Sequence, residues 1–129
     1  MTKNTLIFLI ACLIAGCNFG ESNKILTKEN TKKGEALFAS VGCTTCHSLS
    51  GEARYGPSLN LILNTEIIVI REGKEHSVKV DREYIKRSIQ DPDFEKVDDF
   101  KNKKMPKPSL TQDQIDQIVD YLVFINSKQ

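Results

Sequence analysis

Cys43, Cys46 and His47 stand in the order Cys-x-x-Cys-His, within the pentapeptide Cys43-Thr44-Thr45-Cys46-His47. Two thiols at that spacing can each form a thioether with one vinyl group of a porphyrin. The adjacent imidazole is then carried under the ring, where it ligates iron. This is the spacing of c-type haem attachment. A Cys-x-x-Cys pair without the histidine also serves redox pairs and half of a zinc site. A zinc site wants a second ligand pair, however, and Cys12 and Cys17 lie in the N-terminal segment while His76 stands alone.

An iron held by His47 needs a second axial ligand. Methionine is the usual partner where an electron carrier needs a raised potential. Once an N-terminal signal has been removed with Met1, Met105 is the remaining methionine. It lies in Lys103-Lys104-Met105-Pro106-Lys107-Pro108, where Pro106 removes a backbone donor and biases Met105 toward an extended conformation. A stiff loop loses less entropy when its thioether is held on iron. His76 is the rival ligand, but it lies among charged neighbours on an expected strand and reads as a solvated residue. Gly56-Pro57-Ser58-Leu59 follows the histidine, and a backbone carbonyl there can accept from the free ring nitrogen of His47, fixing the ring and raising its basicity. A plain surface turn is the other reading of Gly56-Pro57. Lys101, Lys103, Lys104 and Lys107 surround Met105, either as a docking patch for an acidic redox partner or as a solvated basic loop.

The N-terminus assigns a compartment. Met1-Thr2-Lys3-Asn4 is a short basic lead, and Thr5 to Gly16 is an almost unbroken apolar run. About a dozen residues are too few to span a bilayer, which needs ~20, and fit the core of a signal peptide. The run ends in Ile14-Ala15-Gly16-Cys17, which resembles the lipobox of bacterial lipoproteins. The resemblance implies lipidation of Cys17, cleavage before it, and a stable multi-chain anchor. An ordinary secretory signal or an uncleaved membrane helix is the alternative. Residues 1–16 are thus expected to be a signal peptide, 17–29 the lipidated cysteine and a polar tether, and 30–129 one domain. Every cysteine then has a use, with Cys12 discarded, Cys17 lipidated, and Cys43 and Cys46 on haem.

Charge and size narrow the choices further. The chain has 18 basic and 17 acidic residues, and loss of residues 1–16 removes only Lys3, leaving 17 against 17. No basic excess exists to neutralise phosphates, so nucleic-acid binding has no support. A mature domain of this size with no Trp, three Tyr and six Phe has a marginal core of its own. A covalent haem supplies the missing apolar volume.

The elements that must position these groups are legible in part. Asn30 or Thr31 can cap a helix over Lys32 to Val41, with Gly34, Leu37, Phe38 and Val41 on one face and Gly42 ending it. Gly34 inside a helix costs about 1 kcal/mol against Ala, so a close helix crossing is expected there. Glu66–Ile70 and His76–Val80 read as the arms of a hairpin turning at Glu72-Gly73-Lys74-Glu75. Asp81 can cap a short helix from Arg82 to Gln90, with Tyr84, Ile85 and Ile89 inward and Asp91-Pro92 ending it. In the last helix, Thr111 and Gln114 have capping-box spacing, and Ile115, Ile118, Val119, Leu122 and Ile125 form an apolar stripe. Tyr121 on that helix is the expected partner of Gly34 and Phe38.

Cys-x-x-Cys-His, the Gly-Pro-Ser-Leu turn and the Met-Pro loop, in this order, resemble a class I cytochrome c. The stretch from Gly73 through Val78-Lys79-Val80-Asp81 to Tyr84-Ile85 and Asp91-Pro92 is similar to the cytochrome c domain fused to subunit II of caa-type cytochrome oxidases. That likeness covers roughly residues 30–127, and nothing in the chain corresponds to the copper domain or membrane helices of a true subunit II. The resemblance implies a mainly α, small cytochrome c fold, with crossing terminal helices around haem and an inserted β-hairpin. It implies that Gly34, Phe38, Pro57 and Tyr121 are structural, and that Cys43, Cys46, His47 and Met105 hold one covalent haem. The expected function is a lipid-anchored electron carrier that exchanges single electrons with an oxidase, reductase or dehydrogenase, and is not itself an enzyme. It would face the periplasm or outer cell surface. A haem subunit of a larger oxidoreductase and a haem-based gas sensor are the alternatives.

Overall fold

The computed structural model describes residues 28–128. The expected signal peptide, Cys17 and most of the expected tether lie outside the described residues. The first helix, α1 (Lys28–Ser40), is already formed at Lys28, so Asn30 and Thr31 lie inside it instead of capping it. It stops at Ser40 because Gly42 takes a left-handed conformation, φ 84°, that turns the chain. Val41, expected on the inward face, falls past this stop and is 40% exposed. A single turn, α2 (Cys43–Cys46), follows directly and carries both cysteines.

After a loop the chain forms an antiparallel hairpin, β1 (Glu66–Arg71) and β2 (Lys74–Lys79), with Ile67 opposite Val78 and Arg71 opposite Lys74. Glu72 and Gly73 alone make the turn, with φ of 51° and 74°. Two successive positive φ values match the right-handed twist of the strands, which is why Lys74 and Glu75 are already strand. The helix α3 (Arg82–Gln90) starts where Asp81 accepts a hydrogen bond from the Tyr84 backbone N–H at 2.8 Å. A two-residue strand, β3 (Lys96–Val97), then pairs with the other edge of β1, making a three-stranded sheet in the order β2-β1-β3. The expected hairpin is therefore part of a larger sheet. A 3-10 turn (Asp98–Phe100) leads into the Met105 segment, and α4 (Gln112–Ser127) closes the domain.

α1 and α4 cross at Gly34. A Cβ built there would meet the Gln117 carbonyl oxygen at 2.0 Å and Tyr121 Cβ at 2.8 Å, so only glycine lets the two backbones approach this closely. Phe38 and Tyr121 pack beside the crossing with ring centroids 5.8 Å apart. α4 begins with a complete capping box between Thr111 and Gln114. Phe38, Val80, Ile85, Ile89, Ile115, Ile118, Val119, Tyr121 and Leu122 form one core. No described helix is long and apolar enough to cross a membrane.

A candidate haem site between the cysteine turn and the Met105 loop

His47 ends α2 in an extended conformation, φ −117° and ψ 134°, so the chain leaves the cysteine turn at this residue. The chain then folds back beside itself. The Gly56 N–H donates to the Cys46 carbonyl at 2.9 Å, and the Leu59 N–H donates to the Ser48 carbonyl at 2.9 Å. Ser48, almost fully buried, donates its hydroxyl to the Glu52 carbonyl and pins the intervening loop. A Cβ at Gly56 would lie 2.6 Å from His47 Cε1 and 3.0 Å from its Nδ1, so the backbone lies against the imidazole where no side chain would fit. His47 Nδ1 is 2.9 Å from the Pro57 carbonyl oxygen. A carbonyl only accepts, so Nδ1 is the donor in this contact, and Nε2 is the ring nitrogen left to face a metal.

Asn126 fixes the next stretch. Its side-chain oxygen accepts from the Ile62 N–H at 2.9 Å, while its amide donates to the Leu59 carbonyl at 3.0 Å. Leu61 between them is forced outward, 58% exposed at φ 57°. Leu59 and Ile62 remain on the wall of a cavity of about 400 Å³.

That cavity gathers groups from distant parts of the chain. Cys43, Cys46 and His47 line it from one side of the sequence, Pro57 from the loop, and Met105 with Pro106 from the segment before α4. Phe38, Ile85, Ile118 and Leu122 contribute apolar wall from three helices. Tyr84 and Ser88 of α3 and Glu95 add polar groups to the wall, and Lys96, Asp99, Lys103 and Lys104 add charged ones. Burial pushes the Cys43 thiol above its ordinary value, and burial does the same to the Tyr84 hydroxyl. His76 is exposed on β2 and does not line the cavity. Among the described residues no group of three or more His, Cys, Asp or Glu is placed to hold a metal ion, so the cysteine pair has no second ligand pair beside it.

These residues suit an iron porphyrin. Two thiols lie on one wall, an imidazole has its outer nitrogen already bonded, a thioether comes from another segment, and the remaining wall is mainly apolar. The family model for Cytochrome c matches residues 31–125. This chain belongs to the cytochrome c family. Membership makes it a haem-based electron-transfer protein, and it implies covalently attached haem c at the Cys-x-x-Cys-His motif. None of the curated proteins matches the chain.

Several features of the site have no signal in the sequence. Glu95 is one, reached by Arg71 from β1 and Arg87 from α3. Tyr55 is another, half exposed on the cavity rim. Of the lysines near Met105, Lys101 pairs with Asp98 at 2.9 Å and Lys103 lies over the Tyr55 ring, so the basic loop is partly neutralised or engaged.

Proposed function

We propose that this cytochrome c is a lipid-anchored, single-haem electron carrier of a respiratory chain. The observation that carries the reading is the gathering of Cys43, Cys46, His47 and Met105 on one mainly apolar cavity. A bound haem would supply one-electron chemistry at its iron. Cys43 and Cys46 would form the two thioethers that fix the ring to α2. His47 would offer Nε2 to the iron, and the Pro57 carbonyl, accepting from its other nitrogen, fixes the orientation of the imidazole. Met105 would offer its thioether from the segment before α4. A soft sulfur ligand in an apolar surround favours the reduced iron and raises the potential. Members of the cytochrome c family are generally electron carriers, which is the role proposed here.

The anchor rests on Cys17 and its lipobox-like approach, and it places the domain on the periplasmic or outer face of a membrane. The likeness to the haem domain of caa-type oxidase subunit II makes oxidases, reductases or dehydrogenases the class of partner. The near-neutral chain leaves nucleic acid outside that class.

The test is a comparison of parent holoprotein with Met105→Ala. The parent should keep its colour through acid–acetone extraction and show a weak far-red sulfur-to-iron band when oxidised. Met105→Ala should keep the covalent colour, lose the band and have a lower midpoint potential. Haem extracted from the parent, or a band and potential unchanged in the variant, would refute the ligand set.

A further inference from the structure

Tyr55 sits in the loop between His47 and Pro57. It is 49% exposed yet lines the cavity. Its ring centroid is 5.0 Å from Lys103 Nζ, and its hydroxyl oxygen accepts a long hydrogen bond of 3.5 Å from the Lys104 backbone N–H. Both partners belong to the segment that ends in Met105, and both line the same cavity. From Lys103 to Thr111 this segment forms neither helix nor strand. It therefore lacks the repeated backbone bonds that would hold Met105 in place.

Tyr55, by contrast, rides on a well-tied support. On one side Arg54 donates from Nη1 to the Thr44 carbonyl at 3.0 Å, and on the other the Gly56 N–H donates to the Cys46 carbonyl. Both acceptors lie in α2, the cysteine turn. A side chain anchored to the turn that carries Cys43, Cys46 and His47 thus reaches the segment that carries Met105.

We propose that Tyr55 is a latch, a positioning residue that joins the two ligand-bearing segments and holds the Met105 segment closed over the cavity rim. The inference rests on the reading of Met105 as axial ligand. The lysine cation faces the ring, an attraction that works at an exposed site. The hydroxyl adds a weaker bond to the neighbouring amide. Together they are of the size that shifts an open–closed equilibrium about tenfold. Opening would lift Met105 away and admit small ligands.

Stopped-flow mixing of the reduced holoprotein with carbon monoxide reads this opening, the far-red band of the oxidised form reads Met105 ligation, and amide exchange at Lys104 reads the loop. Tyr55→Ala should speed carbon monoxide binding about tenfold, weaken the band and speed Lys104 exchange. Tyr55→Phe keeps the ring over Lys103 and should give a smaller rise, about twofold to threefold. Lys103→Gln should speed binding in the parent but not in the Tyr55→Ala background, where the contact between ring and cation is already gone. Carbon monoxide rates within about twofold of the parent for both Tyr55→Ala and Lys103→Gln would overturn the latch. Met105→Ala, measured alongside, separates the two ideas. If it leaves the iron closed, the ligand reading itself fails. If it opens the iron while Tyr55→Ala does not, the latch alone fails.

Discussion

Glu95 keeps a carboxylate at 2% side-chain exposure on the cavity wall, and its neighbours explain how. Arg71 donates to it from Nε at 3.1 Å and from Nη2 at 2.5 Å, and Arg87 donates from Nη2 at 2.6 Å. The Phe94 ring centroid lies 4.8 and 5.0 Å from the guanidinium carbons of Arg71 and Arg87, so one ring faces both cations. Burial alone would raise this carboxyl, but the hydrogen bonds and charges of Arg71 and Arg87 outweigh it and leave it below the ordinary 4.5. A depressed carboxyl contributes stability above its unfolded value and loses that contribution as the pH falls through its folded value. Glu95→Gln should therefore cost about 2–3 kcal/mol at pH 7, less than for a fully buried pair because the arginines are partly exposed. Urea unfolding of parent and variant should show the gap narrowing as the pH drops below about 4.5. A gap of constant size at pH 7 and pH 3.5 would mean that the charge on Glu95 is not what stabilises it.

The crossing of α1 and α4 is the element-scale feature most open to a single substitution. Helix propensity predicts that Gly34→Ala gains about 1 kcal/mol. Packing predicts the reverse, since the new methyl would lie 2.0 Å from the Gln117 carbonyl oxygen, and a backbone atom cannot rotate away. The helices would have to separate, at a cost of about 2–4 kcal/mol. The melting temperature should fall by roughly 10 °C or more, and a rise in calorimetry would show that the crossing is loose. The same scale separates what is legible in the chain from what is not. Gly34, the Thr111–Gln114 box, the Asp81 cap and the hairpin rest on signals within a few residues of one another, and the sequence carries them. β3 has two residues and no period of its own, and it exists because β1 offers a second edge. The Arg71–Glu95–Arg87 cluster likewise joins positions that no local spacing connects. At the site, Cys43, Cys46 and His47 are marked by adjacency and Met105 by scarcity, but nothing beside Tyr55 in the sequence points to Lys103 or Lys104. Val41 shows the opposite failure: the helical period reaches it, but the helix ends one residue earlier, at Ser40, ahead of the left-handed Gly42.

At the scale of the whole molecule, the cavity and the core share the same walls. Phe38, Ile85, Ile118 and Leu122 belong both to the packed core and to the lining. The haem is therefore a part of the interior that the polypeptide alone does not supply. The cavity of about 400 Å³ opens to solvent, so without haem its apolar wall would be wetted instead of packed. A domain of this size has a total stability of only about 5–15 kcal/mol. A chain unable to attach haem should therefore not keep a unique packed interior. The double variant Cys43→Ala/Cys46→Ala, prepared without haem, tests this. The helix caps are local, and the α1–α4 crossing packs backbone against backbone at Gly34 outside the cavity, so both should persist and far-ultraviolet circular dichroism should retain most of its helical signal. Tyrosine signals in the near ultraviolet should weaken, a hydrophobic dye should bind, and thermal unfolding should lose its sharp transition, as in a compact state without fixed packing. A cooperative melt close to that of the holoprotein would show instead that the walls close on themselves, and that the cofactor occupies a fold which stands without it.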